Sequence, residues 1–279
     1  MSSNSSALVV LSGGQDSTTC LFWAKQHFKT VHAISFYYGQ RHARELACAK
    51  AVAALAGVGS MEIVDLTSSI LKSTSPLTSG SALETYTDFK SMDSVIGDRV
   101  ELTFVPMRNA LFLTIAANRA VALGTKTIVT GVCQADNANY PDCRVDFVNA
   151  QEKAIREALG VDDWLIATPL MQLSKKESVL LSRKLDSPAF AALAFTHTAY
   201  SGEYPPVTQD HATVLRAHGF EEAGLPDPLI LRANMESCGR FPLPKTDNYS
   251  DYDLNVSLMR EIYHARIQIC DSGLFDFQV

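Results

Sequence analysis

Leu8-Val9-Val10-Leu11 runs directly into Ser12-Gly13-Gly14-Gln15-Asp16-Ser17, with Thr18-Thr19 behind. A short apolar run stopped by a Gly-Gly turn reads as a buried strand, and the hydroxyl residues after the turn open a helix. Two glycines let the backbone turn tightly and approach a ligand with no Cβ in the way. Successive N–H groups beside a helix start form a concave anion site, for which phosphate is the natural guest. Leu11, Ser12, Gly13, Gly14, Gln15, Asp16, Ser17 and Thr18 are therefore the candidate nucleotide-phosphate cradle. Asp16 would repel a bare phosphate, so it either holds Mg²⁺ or positions a group beside the phosphates. No Gly-Lys-Ser/Thr follows, which sets the loop apart from the common P-loop.

Outward from this junction, short runs rich in Val, Ile, Leu or Phe predict strands at 7–11, 31–37, 61–66, 101–105, 126–132 and 164–168. Helical patterns at 17–28, 41–56, 108–123, 145–159 and 174–185 fall between or after them. Strands alternating with helices of this length predict an α/β fold, a parallel twisted sheet with helices on both faces. Residues 67–100 are Ser/Thr-rich with little periodicity, and so form either a lid or a surface insertion. Residues 188–246 hold seven prolines, with a helical patch at 210–218 and a last amphipathic helix at 251–267. The chain thus divides into an α/β domain over 1–185 that carries the candidate phosphate cradle and a helical, partly irregular C-terminal arm over 186–279.

An apolar content of 47% is ample for a core, and a net charge of −6 leaves no basic footprint for nucleic acid. Six scattered cysteines without a Cys-x-x-Cys pair argue against a disulfide framework and a cysteine-rich zinc site. No run reaches membrane-spanning or signal-peptide length, so the expected compartment is the cytoplasm, without a membrane partner.

In open α/β sheets, ligands gather at the carboxyl ends of strands. The unusual residues of this chain sit at those ends. They are Tyr38, Gln40, Arg41 and His42 after the second strand, and Arg108 and Asn109 after 101–105. Gly131 and Cys133, then Tyr140, Asp142 and Arg144, follow 126–132, and Lys175 follows 164–168. Arginine forks at 41, 108 and 144 match phosphate and carboxylate oxygens. Lys175 either complements a triphosphate or opens a helix in solvent, and His42 either shuttles a proton or is structural. Cys133 has no neighbouring His to activate it, so it reads as packing or pocket lining. Asp16, Arg108 and Lys175 are the candidate catalytic residues, and Gly131 joins the nucleotide-binding set.

The Ser12–Ser17 loop resembles the PP-loop of the ATP pyrophosphatases. Ser12-Gly-Gly-Gln-Asp-Ser-Thr-Thr19, Tyr38-Gly-Gln-Arg-His42, Pro106-x-Arg-Asn109, Thr130-Gly-Val-Cys133, Tyr140-Pro-Asp-Cys-Arg144 and Thr168-Pro-Leu-Met171 together resemble the 7-cyano-7-deazaguanine synthase family over residues 8–185. That resemblance implies an adenine nucleotide alpha hydrolase-like fold and an enzyme that uses ATP and Mg²⁺. It would adenylate the carboxylate of 7-carboxy-7-deazaguanine, take up ammonia to give the amide, and spend a second ATP to give the nitrile. It implies that the Tyr140–Arg144 loop, with Tyr38, Gln40, Arg41, His42, Asn109 and Cys133, faces the deazaguanine, and it suggests a homodimer. The resemblance also implies four zinc cysteines near the C-terminus, and these positions here are Ala199, Val207, Asp210 and Thr213. The usual thiolate site cannot form. His197, Asp210, His211, His218 and Cys238 are the nearby alternative donors. The expectation is no zinc, with protein packing as the clamp. The alternatives are a paralogue that stops at the amide or passes the acyl group to another amine, for example on a protein, and a catalytically silent nucleotide-binding module.

Overall fold

Ala7, Leu8, Val9 and Leu11 are all but inaccessible to solvent. A strand buried on both faces needs neighbours and cover on each side, and a parallel sheet between helix layers supplies them. The computed structural model describes residues 5–39, 44–66, 71, 73–134 and 138–272. Five strands, β1 (Ser6–Val10), β2 (Thr30–Tyr37), β3 (Ser60–Asp65), β4 (Thr127–Val129) and β5 (Leu165–Ala167), form one sheet. Their order is β3-β2-β1-β4-β5, every pair parallel, with Leu8 aligned to His32 on one side and Ile128 on the other.

The helices are α1 (Gln15–His27), α2 (Arg44–Ala56), α3 (Pro76–Ser79), α4 (Phe89–Ile96), α5 (Arg108–Ala122) and α6 (Val145–Leu159). They continue with α7 (Lys175–Lys184), α8 (Ala189–Ala192), α9 (His211–Ala223), α10 (Pro228–Glu236) and α11 (Tyr252–Asp271). The period-two alternation of β1 sends its side chains to opposite layers. Ala7, Val9 and Leu11 join Val31, Ala33 and Val129 in a core shared with α1, α2, α7, α8, α10 and α11. Leu8 joins Ile34, Phe36, Ile128 and Ile166 against α5 and α6. Each fully buried Leu or Ile in these layers contributes about 1.5–3 kcal/mol. Phe190, Leu193 and Phe195, together with Leu258 and Ile262, lie in the first of the two cores, so residues past 186 pack on the same sheet face as α1 and α2.

The sheet order reverses at β1, whose two neighbours β2 and β4 lead the chain away in opposite directions. This is the switch point where open sheets leave a crevice. Residues 101–105 are not a strand, contrary to the expectation from their apolar content. Glu101 instead takes the N–H of Thr103 on its carboxylate at 2.7 Å, and its carbonyl accepts from Phe104 N–H at 3.1 Å. Local capture of backbone donors turns the chain before it can pair. Within 67–100, Tyr86, Met92 and Ile96 pack on Val214 and Leu215 of α9, and Tyr86 N–H donates to the Gln209 carbonyl at 2.8 Å. No helix among the described residues is long and apolar enough to cross a membrane.

Candidate active site

Gly13 is required twice over. Its φ is +89°, and a Cβ there would stand 2.2 Å from the Glu45 carbonyl oxygen and 2.7 Å from the Ala49 nitrogen. The loop after β1 therefore lies directly on the first turn of α2. Gly14 caps α1, and its N–H donates to Ser12 Oγ at 3.2 Å. Ser12 N–H in turn donates to Ser17 Oγ at 3.2 Å, and Ser17 Oγ donates to the Gly14 carbonyl at 3.2 Å. Two hydroxyls thus lock the turn that aims the α1 N-terminus outward, where the helix dipole favours an anion. Across the crevice, a Cβ on Gly131 would sit 3.1 Å from Ser17 N, so a glycine after β4 lets the two loops close up.

A cavity of about 300 Å³ opens at this switch point. Lys175 Nζ reaches Asp16 Oδ2 at 2.9 Å beside the Ser12–Ser17 loop, with both side chains largely covered. A capping box on α7, in which Ser174 and Glu177 exchange side-chain and backbone bonds, fixes the helix start that carries Lys175. Gly219 of α9 gives the lysine its path, since a Cβ there would meet Lys175 Cγ at 2.4 Å. Phe112 stacks on Phe36 at 4.2 Å and tilts toward Tyr38 at 5.6 Å, making an aromatic wall suited to a flat heterocycle. Arg108 Nη1 donates to Tyr38 OH at 3.5 Å. Tyr140 OH donates to Glu101 Oε2 at 3.1 Å, and burial pushes the phenols of Tyr140 and Tyr200 up, keeping them neutral hydrogen-bonding groups.

Of the residues expected from sequence, Leu11, Ser12, Gly14, Gln15, Asp16, Ser17, Tyr38, Arg108, Asn109, Gly131, Cys133, Tyr140 and Lys175 line this one cavity. Gly13 shapes the loop from behind, and Thr18 is fully buried in α1 with its N–H on the Gly14 carbonyl. Asp142 is buried, its carboxylate accepting Asn109 N–H at 3.2 Å, so it orients the start of α5. Arg144 is exposed at the N-cap of α6, away from the lining. Cys133 Sγ donates to the Leu173 carbonyl at 3.1 Å, a packing role. Gln40, Arg41 and His42 lie outside the described residues. Gln15 Nε2 is buried with no hydrogen-bond partner among the described residues, a donor held toward the cavity.

Sequence reasoning missed part of the wall. Glu45, His197, Thr198, Tyr200, His211 and Arg216 also line the cavity. Glu45 stands in the first turn of α2, and burial in the cavity wall, opposed by the Arg108 charge, pushes its carboxyl up to about 7. The only signal for it was an acid three residues beyond His42, which also suits an ordinary helix start. His197 N–H donates to the Gly13 carbonyl at 3.0 Å, joining a segment far away in sequence to the loop. Among the described residues, no group of three or more His, Cys, Asp and Glu side chains is placed to hold a metal ion.

Comparison with known proteins places this geometry. Residues 6–224 match the family model described as queuosine biosynthesis protein QueC. A 7-cyano-7-deazaguanine synthase of Laribacter hongkongensis is 50% identical over 230 residues, 81% of this chain and 94% of that protein. Its counterpart in Chromobacterium violaceum is 46% identical over 241 residues, 85% of this chain and 98% of that protein. The Gloeobacter violaceus enzyme of the same name is 48% identical over 226 residues, 80% and 94% of the two chains.

Proposed function

The chain belongs to the queuosine biosynthesis protein QueC family, and on that premise we propose that it makes 7-cyano-7-deazaguanine from 7-carboxy-7-deazaguanine, ATP and ammonia. The observation that carries the reading is the locked Ser12–Ser17 turn at the sheet's switch point, opening on a cavity with an aromatic wall and the cations Arg108 and Lys175 in its lining. A carboxylate is a poor electrophile at carbon, and its attack on the α-phosphorus of ATP turns one oxygen into part of an AMP leaving group. Ammonia then adds to the acyl carbon and AMP departs, giving the amide. The amide oxygen attacks the α-phosphorus of a second ATP and expels pyrophosphate, and loss of AMP together with both protons from nitrogen leaves the nitrile.

The chain's own residues serve each stage. Backbone N–H groups at the start of α1, with Lys175, bind the phosphates and offset the charge that builds on pyrophosphate. Gln15 Nε2 donates to a ligand oxygen, which removes the roughly 1–3 kcal/mol cost of a buried unsatisfied amide. Arg108 holds the substrate carboxylate toward the nucleotide, and Phe112 and Tyr38 hold the rings flat. Glu45, half-protonated near neutrality, takes the proton that incoming ammonium must lose. Asp16 is the residue that would hold Mg²⁺; one carboxylate together with substrate phosphates is a usual setting for that ion, which supplies charge neutralisation.

Ala199 and Val207, where the family resemblance implies metal ligands, favour a second reading in which the acyl group stops at the amide or passes to a protein amine. Mass spectrometry of the products from purified protein, 7-carboxy-7-deazaguanine, ATP, Mg²⁺ and ammonium decides. The nitrile is expected. The amide alone, or turnover only with an added protein acceptor, establishes the second reading, and no AMP or pyrophosphate under any condition sinks both.

A further inference from the structure

The zinc that the resemblance implies does not fit the residues present. Ala199 is fully buried and Val207 is a largely exposed hydrocarbon side chain, so two of the four positions carry no donor atom at all. Asp210, the third, is already committed. Its Oδ2 accepts Tyr200 N–H at 2.6 Å and its Oδ1 accepts Thr213 N–H at 2.9 Å, with the residue 1% exposed. A tetrahedral metal needs four free donors, and this ring offers at most a spent carboxylate and a neutral hydroxyl.

The same bonds show what stands in the metal's place. Asp210 is the N-cap of α9, and its second oxygen reaches across the turn to the backbone of the segment that forms the cavity wall. One carboxylate thus ties two stretches of chain; burial pushes its carboxyl up, and the N–H bonds from Thr213 and Tyr200 oppose that rise. Six residues on, Arg216 completes the lacing. Its five N–H donors reach Asp227 twice, at 2.7 and 2.8 Å, Thr196 Oγ1 at 2.8 Å, Thr198 Oγ1 at 2.9 Å and the Leu193 carbonyl at 3.2 Å. Those five are all the donors a guanidinium has. From this laced segment Tyr200 and Thr198 face the cavity, and His197 holds Gly13.

We infer that this chain closes its C-terminal arm on the active site without a metal, and that Asp210 is the positioning residue that replaces the metal cross-link. The inference predicts a protein indifferent to zinc yet dependent on one carboxylate. Elemental analysis of the purified full-length protein is expected to give far less than one zinc per chain. Prolonged chelation should leave the melting temperature unchanged. In Asp210→Ala, hydrogen exchange of the Tyr200 and Thr213 amides should quicken by about tenfold or more. KM for the deazaguanine carboxylate should rise several-fold with a smaller change in kcat. Asp210→Asn keeps one acceptor oxygen and should fall between the two, and it serves as the readout if the alanine variant does not fold. One zinc per chain, a melting temperature lowered by chelation, or unaltered exchange at Tyr200 and Thr213 in both variants would overturn it. Metal content and amide exchange do not depend on which reaction the cavity performs, so the inference stands or falls apart from the proposed function.

Discussion

The Ser12–Ser17 side of the cavity and its C-terminal wall are built by opposite means. The Ser12–Ser17 turn is locked by hydroxyl bonds that span at most five residues, and by a glycine whose conformation and clearance admit nothing else. The wall at 196–216 is held by Asp210 and Arg216 reaching across the chain, and His197 N–H ties it to the loop at the Gly13 carbonyl. A local motif tolerates no substitution and announces itself in sequence. A laced wall can exchange one fastener for another, a metal for a carboxylate, and still present the same face.

Gly13→Ala should break the local side hardest. Strain at positive φ and collision with the α2 backbone together cost on the order of 3 kcal/mol or more. Chemical denaturation should show that loss, and pyrophosphate release should disappear with it. Asp16→Ala separates chemistry from architecture. Pyrophosphate release should fall by about a hundredfold or more while the circular dichroism spectrum is retained, and unchanged turnover would remove Asp16 from the mechanism. Gly219→Ala attacks the Ser12–Ser17 side from the wall. Its Cβ displaces the stem of Lys175, so pyrophosphate release should drop several-fold with a stability loss of about 1 kcal/mol.

Glu45→Gln tests the cavity wall through pH. The folded carboxyl is raised to about 7 by burial, so its favourable contribution is complete below the unfolded value near 4.5 and is lost as pH rises through 7. Glutamine does not titrate. Melting temperatures of variant and parent should therefore differ little at pH 5, and the variant should gain relative to the parent by pH 8, worth up to about 2 kcal/mol. Activity with ammonium should fall in the variant, and most at neutral pH, where little free ammonia exists. Equal pH profiles would release Glu45 from proton transfer.

Legibility in the sequence followed the same division. Leu8–Leu11 with its Gly-Gly turn revealed β1, the loop and the start of α1, because apolar runs and glycines report local geometry. The helices at 108–122, 145–159 and 175–184 were readable from their periodicity for the same reason. Residues 101–105 looked like a strand, yet Glu101 and Thr103 bonded locally and made a turn. Arg144 looked equivalent to Arg108, yet Arg108 lines the cavity while Arg144 stands exposed at the N-cap of α6. Tyr200, Thr198 and Arg216 could not be placed from spacing alone, because what brings them beside residue 13 is packing between elements some 180 positions apart.

Activation of the carboxylate as an acyl adenylate, proposed for this cavity, is tested with 7-carboxy-7-deazaguanine carrying ¹⁸O in both carboxylate oxygens, incubated with unlabelled ATP, Mg²⁺ and ammonium. Two AMP per nitrile are expected, each carrying one ¹⁸O, the first from acyl transfer and the second from dehydration of the amide. Product formed with unlabelled AMP, or with label appearing in inorganic phosphate instead, would contradict it.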